Sequence, residues 1–150
     1  MVATSAQLQE LLDYCMDFAK TMLNDAGDFY PFGAKLSLEG QVVAVGGHSG
    51  SEKPLPQDIY QLLIGAFVSE AQNGSIAGAA LAANVNVPDQ YESPTRDAIR
   101  VHVEAPGFAR FIYVPYKVTR SGLFKKKISV TLHEPFAVEV SSGFFQKAAP

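Results

Sequence analysis

The stretch Asp97 to Val118 limits what this chain can become more than any other part of it. Ile99, Val101 and Val103 alternate with Arg100, His102 and Glu104, the two-residue period of a strand with one dry face and one wet face. Ala105-Pro106-Gly107 follows, and Pro-Gly supplies a fixed φ and a permissive residue at a tight reversal. Phe108 to Val118 then returns as a segment rich in aromatic and β-branched residues, apolar enough to be covered on both faces. The reading is a β-hairpin whose odd positions from 97 to 103 enter the core and whose even positions meet water. Short hairpins join antiparallel neighbours, so the sheet that contains it is antiparallel.

Around the hairpin, periodicity predicts two amphipathic helices and further strands. Leu8, Leu11, Leu12, Cys15, Phe18, Met22 and Leu23 recur at helical intervals, with Thr4 or Ser5 as cap, Gln7 at the capping-box position and Gly27 as the stop. Phe32, Ala34, Leu36 and Leu38 share one face of a strand that starts after Pro31, and Glu39-Gly40 turns it back through Gln41 to Val45. A loop rich in Gly, Ser and Pro, Gly46 to Leu55, is the segment predicted to be most mobile. Pro56 suits the first turn of a second helix with a stripe of Ile59, Leu62, Leu63, Ala66 and Phe67, ended by Asn73-Gly74.

Ser75 to Val87 begins apolar on both faces and poor in bulk, which reads as a strand beneath a helix, although its alanines also permit a helix. A last strand runs from about Lys126 to His133, and Phe136, Val138 and Val140 add a short edge, while Phe144 and Phe145 are hard to place. Lys125, Lys126 and Lys127 read as a solvated turn or a protected sheet edge. The sum is a single α+β domain with an ordered core at about residues 5–140. It has two helices and an antiparallel sheet of about five to six strands, in the order α-β-β-α-β-β-β-β. That order is similar to the profilin-like and roadblock-like folds, a resemblance of topology that implies nothing about chemistry.

Composition narrows the functions. A chain of 150 residues, 47% hydrophobic and 18% charged, has the make-up of one globular domain. Its net charge of -3, from 12 basic and 15 acidic residues, gives no field that would hold nucleic acid or an anionic membrane. Cys15 is the one cysteine and cannot close an internal disulfide, which fits a reducing compartment. The N-terminus lacks the basic and apolar regions of a secretion signal, and no apolar run reaches the ~18 residues of a membrane span, so the expected location is cytoplasmic.

Three patterns recur in a recognisable order: Phe29-Tyr30-Pro31-Phe32-Gly33-Ala34, then Asp97-Ala98-Ile99 leading to Glu104, then Tyr113-Val114-Pro115-Tyr116. Over roughly Phe29 to Tyr116 the chain resembles a family of small bacterial proteins with similar motifs. The resemblance implies a bacterial, cytoplasmic protein and carries over no functional residue.

Candidate chemistry lies first on the wet face of the hairpin. His102, Glu104 and His133 are the residue types for metal binding or acid-base catalysis, with Arg100, Arg110, Asn84 and Asn86 as possible neighbours. Their spacing matches no established ligand signature, and Arg/Glu pairs are also common decoration of a solvated sheet. Gly46-Gly47-His48-Ser49-Gly50-Ser51 matches neither a phosphate loop nor a nucleophile elbow, and Cys15 on an apolar face is a core residue rather than a nucleophile. Tyr30, Tyr113 and Arg100 instead suggest a ligand pocket, and Tyr30, Phe32, Tyr113 and Tyr116 are aromatics that would line a pocket or a dimer contact. The leading expectation is a non-catalytic binding or interaction protein that uses no cofactor or metal. Its expected partner is a second copy of itself or another protein, not nucleic acid or membrane. A small metal-dependent or acid-base hydrolase using His102, Glu104 and His133 is the alternative.

Overall fold

Thr4 starts the first helix as its sequence predicts. The Thr4 hydroxyl accepts a hydrogen bond from the Gln7 amide at 3.1 Å, and the Thr4 amide donates to Gln7 Oε1 at 2.9 Å, so two of the donors a helix leaves unpaired at its start are satisfied. In the computed structural model, which describes residues 2–47, 50, 52–124 and 127–146, helix α1 spans Ser5–Ala26. Gly27 then ends it with φ 75, a left-handed value open to glycine at no steric cost. Leu11, Cys15, Ala19 and Leu23 are the buried stripe. Phe18, expected within it, lies on the flank, 42% exposed, with its ring edge on Phe32.

The remaining elements are β1 (Phe32–Ser37), β2 (Val42–Val45), α2 (Pro56–Gln72), β3 (Ile76–Asn86), β4 (Asp97–Ala105), β5 (Phe108–Ser121), β6 (Lys127–Leu132) and β7 (Phe136–Glu139). All pairings are antiparallel, in the order β2-β1-β3-β4-β5-β6, with β7 also against β5. This is the α+β class and the element order read from the sequence, with the short edge after Pro135 realised as β7. The outer edge of β5 is shared: Arg110 to Tyr113 pair with β7, and Tyr116 to Ser121 with β6. The central hairpin closes through Pro106-Gly107, with Ala105 opposite Phe108 and Gly107 at φ 78.

The two helices lie on opposite faces. On the first, Leu11, Cys15 and Leu23 of α1 pack with Leu36, Ile99 and Val101. On the second, Ile59, Leu63 and Phe67 of α2 pack with Ala79, Leu81 and Phe144. Residues 59, 63 and 67 make one narrow row, so Leu62 and Ala66, expected inside, are exposed. Strand β3 runs between both helices, and its small residues Ala79, Ala80 and Ala82 are fully buried. Close approach is visible at Gly33, where a Cβ would stand 2.6 Å from Phe67 Cζ and 2.9 Å from the Ala80 carbonyl oxygen.

The core does not stop near residue 140 as expected: Phe144 is among the most deeply buried side chains. His48, Ser49 and Ser51 of the predicted mobile loop, and Lys125 and Lys126 of the lysine run, lie outside the described residues. Among the described residues, no helix is long and apolar enough to cross a membrane.

Candidate functional site

Alternation puts Arg100, His102 and Glu104 of β4 on the α2 side of the sheet, opposite Ile99, Val101 and Val103. The expected wet face is covered. Glu104 is fully buried and His102 is 7% exposed, because the chain after β7 folds back over them. Phe144 lies 4.4 Å from the His102 ring and 5.3 Å from Phe67, centroid to centroid, and Phe111 closes the far side of the imidazole at 4.9 Å.

Three successive amides bind the Glu104 carboxylate. Gly143 N–H donates to Oε2 at 2.7 Å, while Phe144 and Phe145 N–H donate to Oε1 at 3.0 and 3.2 Å. Burial pushes the Glu104 pKa up, but His102 and these amides together outweigh it and hold the carboxyl below its ordinary range. His102 Nε2 stands 2.5 Å from Oε2, at ion-pair distance, yet the ring N–H is poorly aligned for a formed hydrogen bond. Buried beneath Phe144, the pair fastens the C-terminal segment to the sheet and is closed to a substrate.

His133 does not join it. Its amide donates to the Pro115 carbonyl, whereas His102 sits opposite Phe111, roughly 13 Å away along β5. Among the described residues, no three His, Cys, Asp or Glu side chains stand together as a metal site. Asn84 points to the α1 side, toward Tyr116, so it too is absent from the expected constellation, as is Arg110, which pairs with Glu139 at 3.2 Å and lies over Phe108.

Tyr30 and Tyr113 are also separated. Tyr113 is 3% exposed, stacked on Phe136 at 5.2 Å and flanked by Tyr91. Tyr30 is 54% exposed and lines a cleft of about 510 Å³ with Met22, Asp28, Phe29, Pro31 and Asn84. The cleft forms where α1 ends, β1 begins and the last residues of β3 run on beyond it. A smaller recess of about 140 Å³ adjoins it, sharing Pro31, Pro56 and Asn84 and reaching Tyr60 and Arg100. Arg100 donates to the Tyr60 hydroxyl at 2.8 Å and lies over the Phe111 ring. Of the three expected pocket residues, Tyr30 and Arg100 therefore flank adjoining hollows and Tyr113 is core.

A polar chain crosses the cleft floor. The Tyr116 hydroxyl donates to Asn84 Oδ1 at 2.6 Å, Asn84 Nδ2 donates to Asp28 Oδ1 at 2.7 Å, and the Phe29 amide also donates to Asp28 Oδ1. Burial pushes the Tyr116 pKa up, against its bond to Asn84, and the nearby carboxylates of Asp97 and Asp28 add to the rise. Asp28 is the site residue that sequence reasoning missed, and Asn84, expected beside His102, belongs to this cleft instead. The signal for Asp28 was its place just before the Phe29-Tyr30-Pro31 motif.

These features define an α+β domain with an antiparallel sheet, helices on both faces, a sealed His-Glu pair and a cleft at the sheet end that carries Tyr30 and Asp28. Comparison with protein-family models, curated proteins and solved structures finds no match to this chain.

Proposed function

We propose that this chain is a non-catalytic binding protein whose partner seats in the cleft between the end of α1, Tyr30-Pro31 and β3. The observation that carries the reading is the contrast between two polar sites. The acid-base pair His102 and Glu104 is sealed under Phe144, while the cleft is open, apolar on its walls and polar on its floor. Its volume, about 510 Å³, is within the ordinary range for ligand pockets. A hydrolase using His102, Glu104 and His133 finds less support, because the three side chains meet at no common point. The bacterial and cytoplasmic setting implied by the motif resemblance belongs to this proposal, and a buried, unpaired Cys15 fits it.

The partner is a protein, either another chain or a second copy of this one. A sedimentation mass of one chain at micromolar concentration removes the second copy. The cleft itself is tested by amide NMR of the labelled chain against fragment and peptide libraries. Hits should perturb Met22, Phe29, Tyr30 and Asn84 and be lost in Tyr30→Ala. Hits confined to Phe111 and Phe136, or insensitive to Tyr30→Ala, would sink the proposal. Stabilisation by zinc that depends on His102 would favour the hydrolase instead.

A further inference from the structure

Strand β3 is longer than its neighbour β1. The β1 ladder ends where Phe32 meets Ala82, whereas β3 continues to Asn86 against β4. The Val87 amide donates to the Arg96 carbonyl at 2.8 Å, which makes residues 87 and 96 a hydrogen-bonded pair. Such pairs recur at every second residue of an antiparallel ladder. Val85 therefore bonds to β4, and the N–H and C=O groups of Asn84 and Asn86 point the other way, toward the line that β1 has left. Pro31 stands opposite Ala83, which bonds to β4, so the next rung of this ladder would join Tyr30 to Asn84; among the described residues no main-chain hydrogen bond joins Asn84 or Asn86 to residues 28–31. Unpaired alternate groups on a strand edge are a template for another strand.

The cleft opens onto this edge, since Asn84 lines both the larger hollow and the adjoining recess. It is also acidic. Asp28 lies on the floor, Asp97 is close enough to act on the Tyr116 hydroxyl, and the C-terminal end of α1, with no basic residue in its last turn, contributes Ala26 to the wall. The negative end of a helix dipole favours a cation. Among the described residues, Oδ2 of Asp28 has no hydrogen-bond donor.

We infer that the occupant of this cleft is an extended peptide segment of a partner protein, added as a strand to β3 at Asn84 and Asn86, with a Lys or Arg side chain on Asp28. This rests on the binding reading above and specifies its chemistry. A residue paired with Asn84 shares its face of the sheet, so the basic side chain belongs at that position. Main-chain bonds supply the attachment and the alternate side chain supplies the selection.

The test begins with the free, full chain. The Asn84 and Asn86 amides should exchange hydrogen at least about tenfold faster than that of Val85. Slow exchange at both overturns the inference. A random heptapeptide display library is then panned against the same protein, and enriched peptides are synthesised. They should carry Lys or Arg at one fixed position and protect the Asn84 and Asn86 amides when bound. Methylation of the peptide nitrogens facing those residues should weaken binding about tenfold or more, methylation of the intervening nitrogen should leave it within about twofold, and Asp28→Asn should cost about tenfold. Asn86→Pro, which removes an outward N–H and no β4 bond, should keep the melting temperature and lose the peptide. No enriched peptide, or peptides indifferent to every methylation, overturns the inference. Indifferent peptides that still require Tyr30 leave the cleft reading standing, and peptides that ignore Tyr30 as well overturn both.

Discussion

Glu104 and Asp28 carry the same carboxylate in opposite settings. Glu104 is enclosed and bound by three amides and His102, and its lowered pKa means that the folded state favours the ionised form. Its contribution is complete above the ordinary carboxylate value near 4.5 and is lost as pH falls through the lower folded value. An acid titration followed by NMR should therefore release Gly143 to Phe145 below that range. In Glu104→Gln the protein should lose about 2–3 kcal/mol in urea unfolding at neutral pH, with that acid step gone; unchanged stability and an unchanged acid profile would show the clasp to be dispensable. Burial pushes the Cys15 thiol up to about 12, so a thiol reagent at pH 8 should label it at least about a hundredfold more slowly in the folded than in the unfolded chain. Gly33→Ala forces a methyl onto Phe67 and the Ala80 carbonyl, and a loss of about 1–3 kcal/mol should appear in the same unfolding assay.

At the scale of elements, the alternation in β4 identified correctly which residues share a face and misjudged whether that face is covered. Period two separates Ile99, Val101 and Val103 from Arg100, His102 and Glu104, but polarity alone made the second set look solvated. What covers it arrives 40 residues later, in Phe144, whose amide is bound by Glu104. The signal available in the sequence was the Phe144-Phe145 pair itself, two large apolar residues with no strand or helix to belong to. Phe144→Ala removes the ring that closes His102 and Phe67. Its expected effect is faster hydrogen exchange at Gly143 and Phe144, with β3 amides unchanged and a global loss of no more than about 3–5 kcal/mol. Equal acceleration across β3 would mean that the segment opens only with the whole domain.

For the molecule as a whole, the overhang of β3 beyond β1 decides where a partner has room. Tyr30→Ala, at a half-exposed position, should leave stability within about 0.5 kcal/mol and still weaken binding at the cleft; a large stability loss would mark Tyr30 as structural. The chain alone determined its helices, its central hairpin and the antiparallel α+β class, because caps, turn residues and hydrophobic period act over a few neighbours. Thr4 and Gln7, Pro106-Gly107 and the alternation from Asp97 are such local instructions. Only the tertiary structure decided that Glu104 is a clasp, that His133 stands apart from His102, and that Asp28 meets Asn84 across 56 residues of sequence. Those outcomes depend on which distant segments exclude water from one another, and no local pattern carries that information.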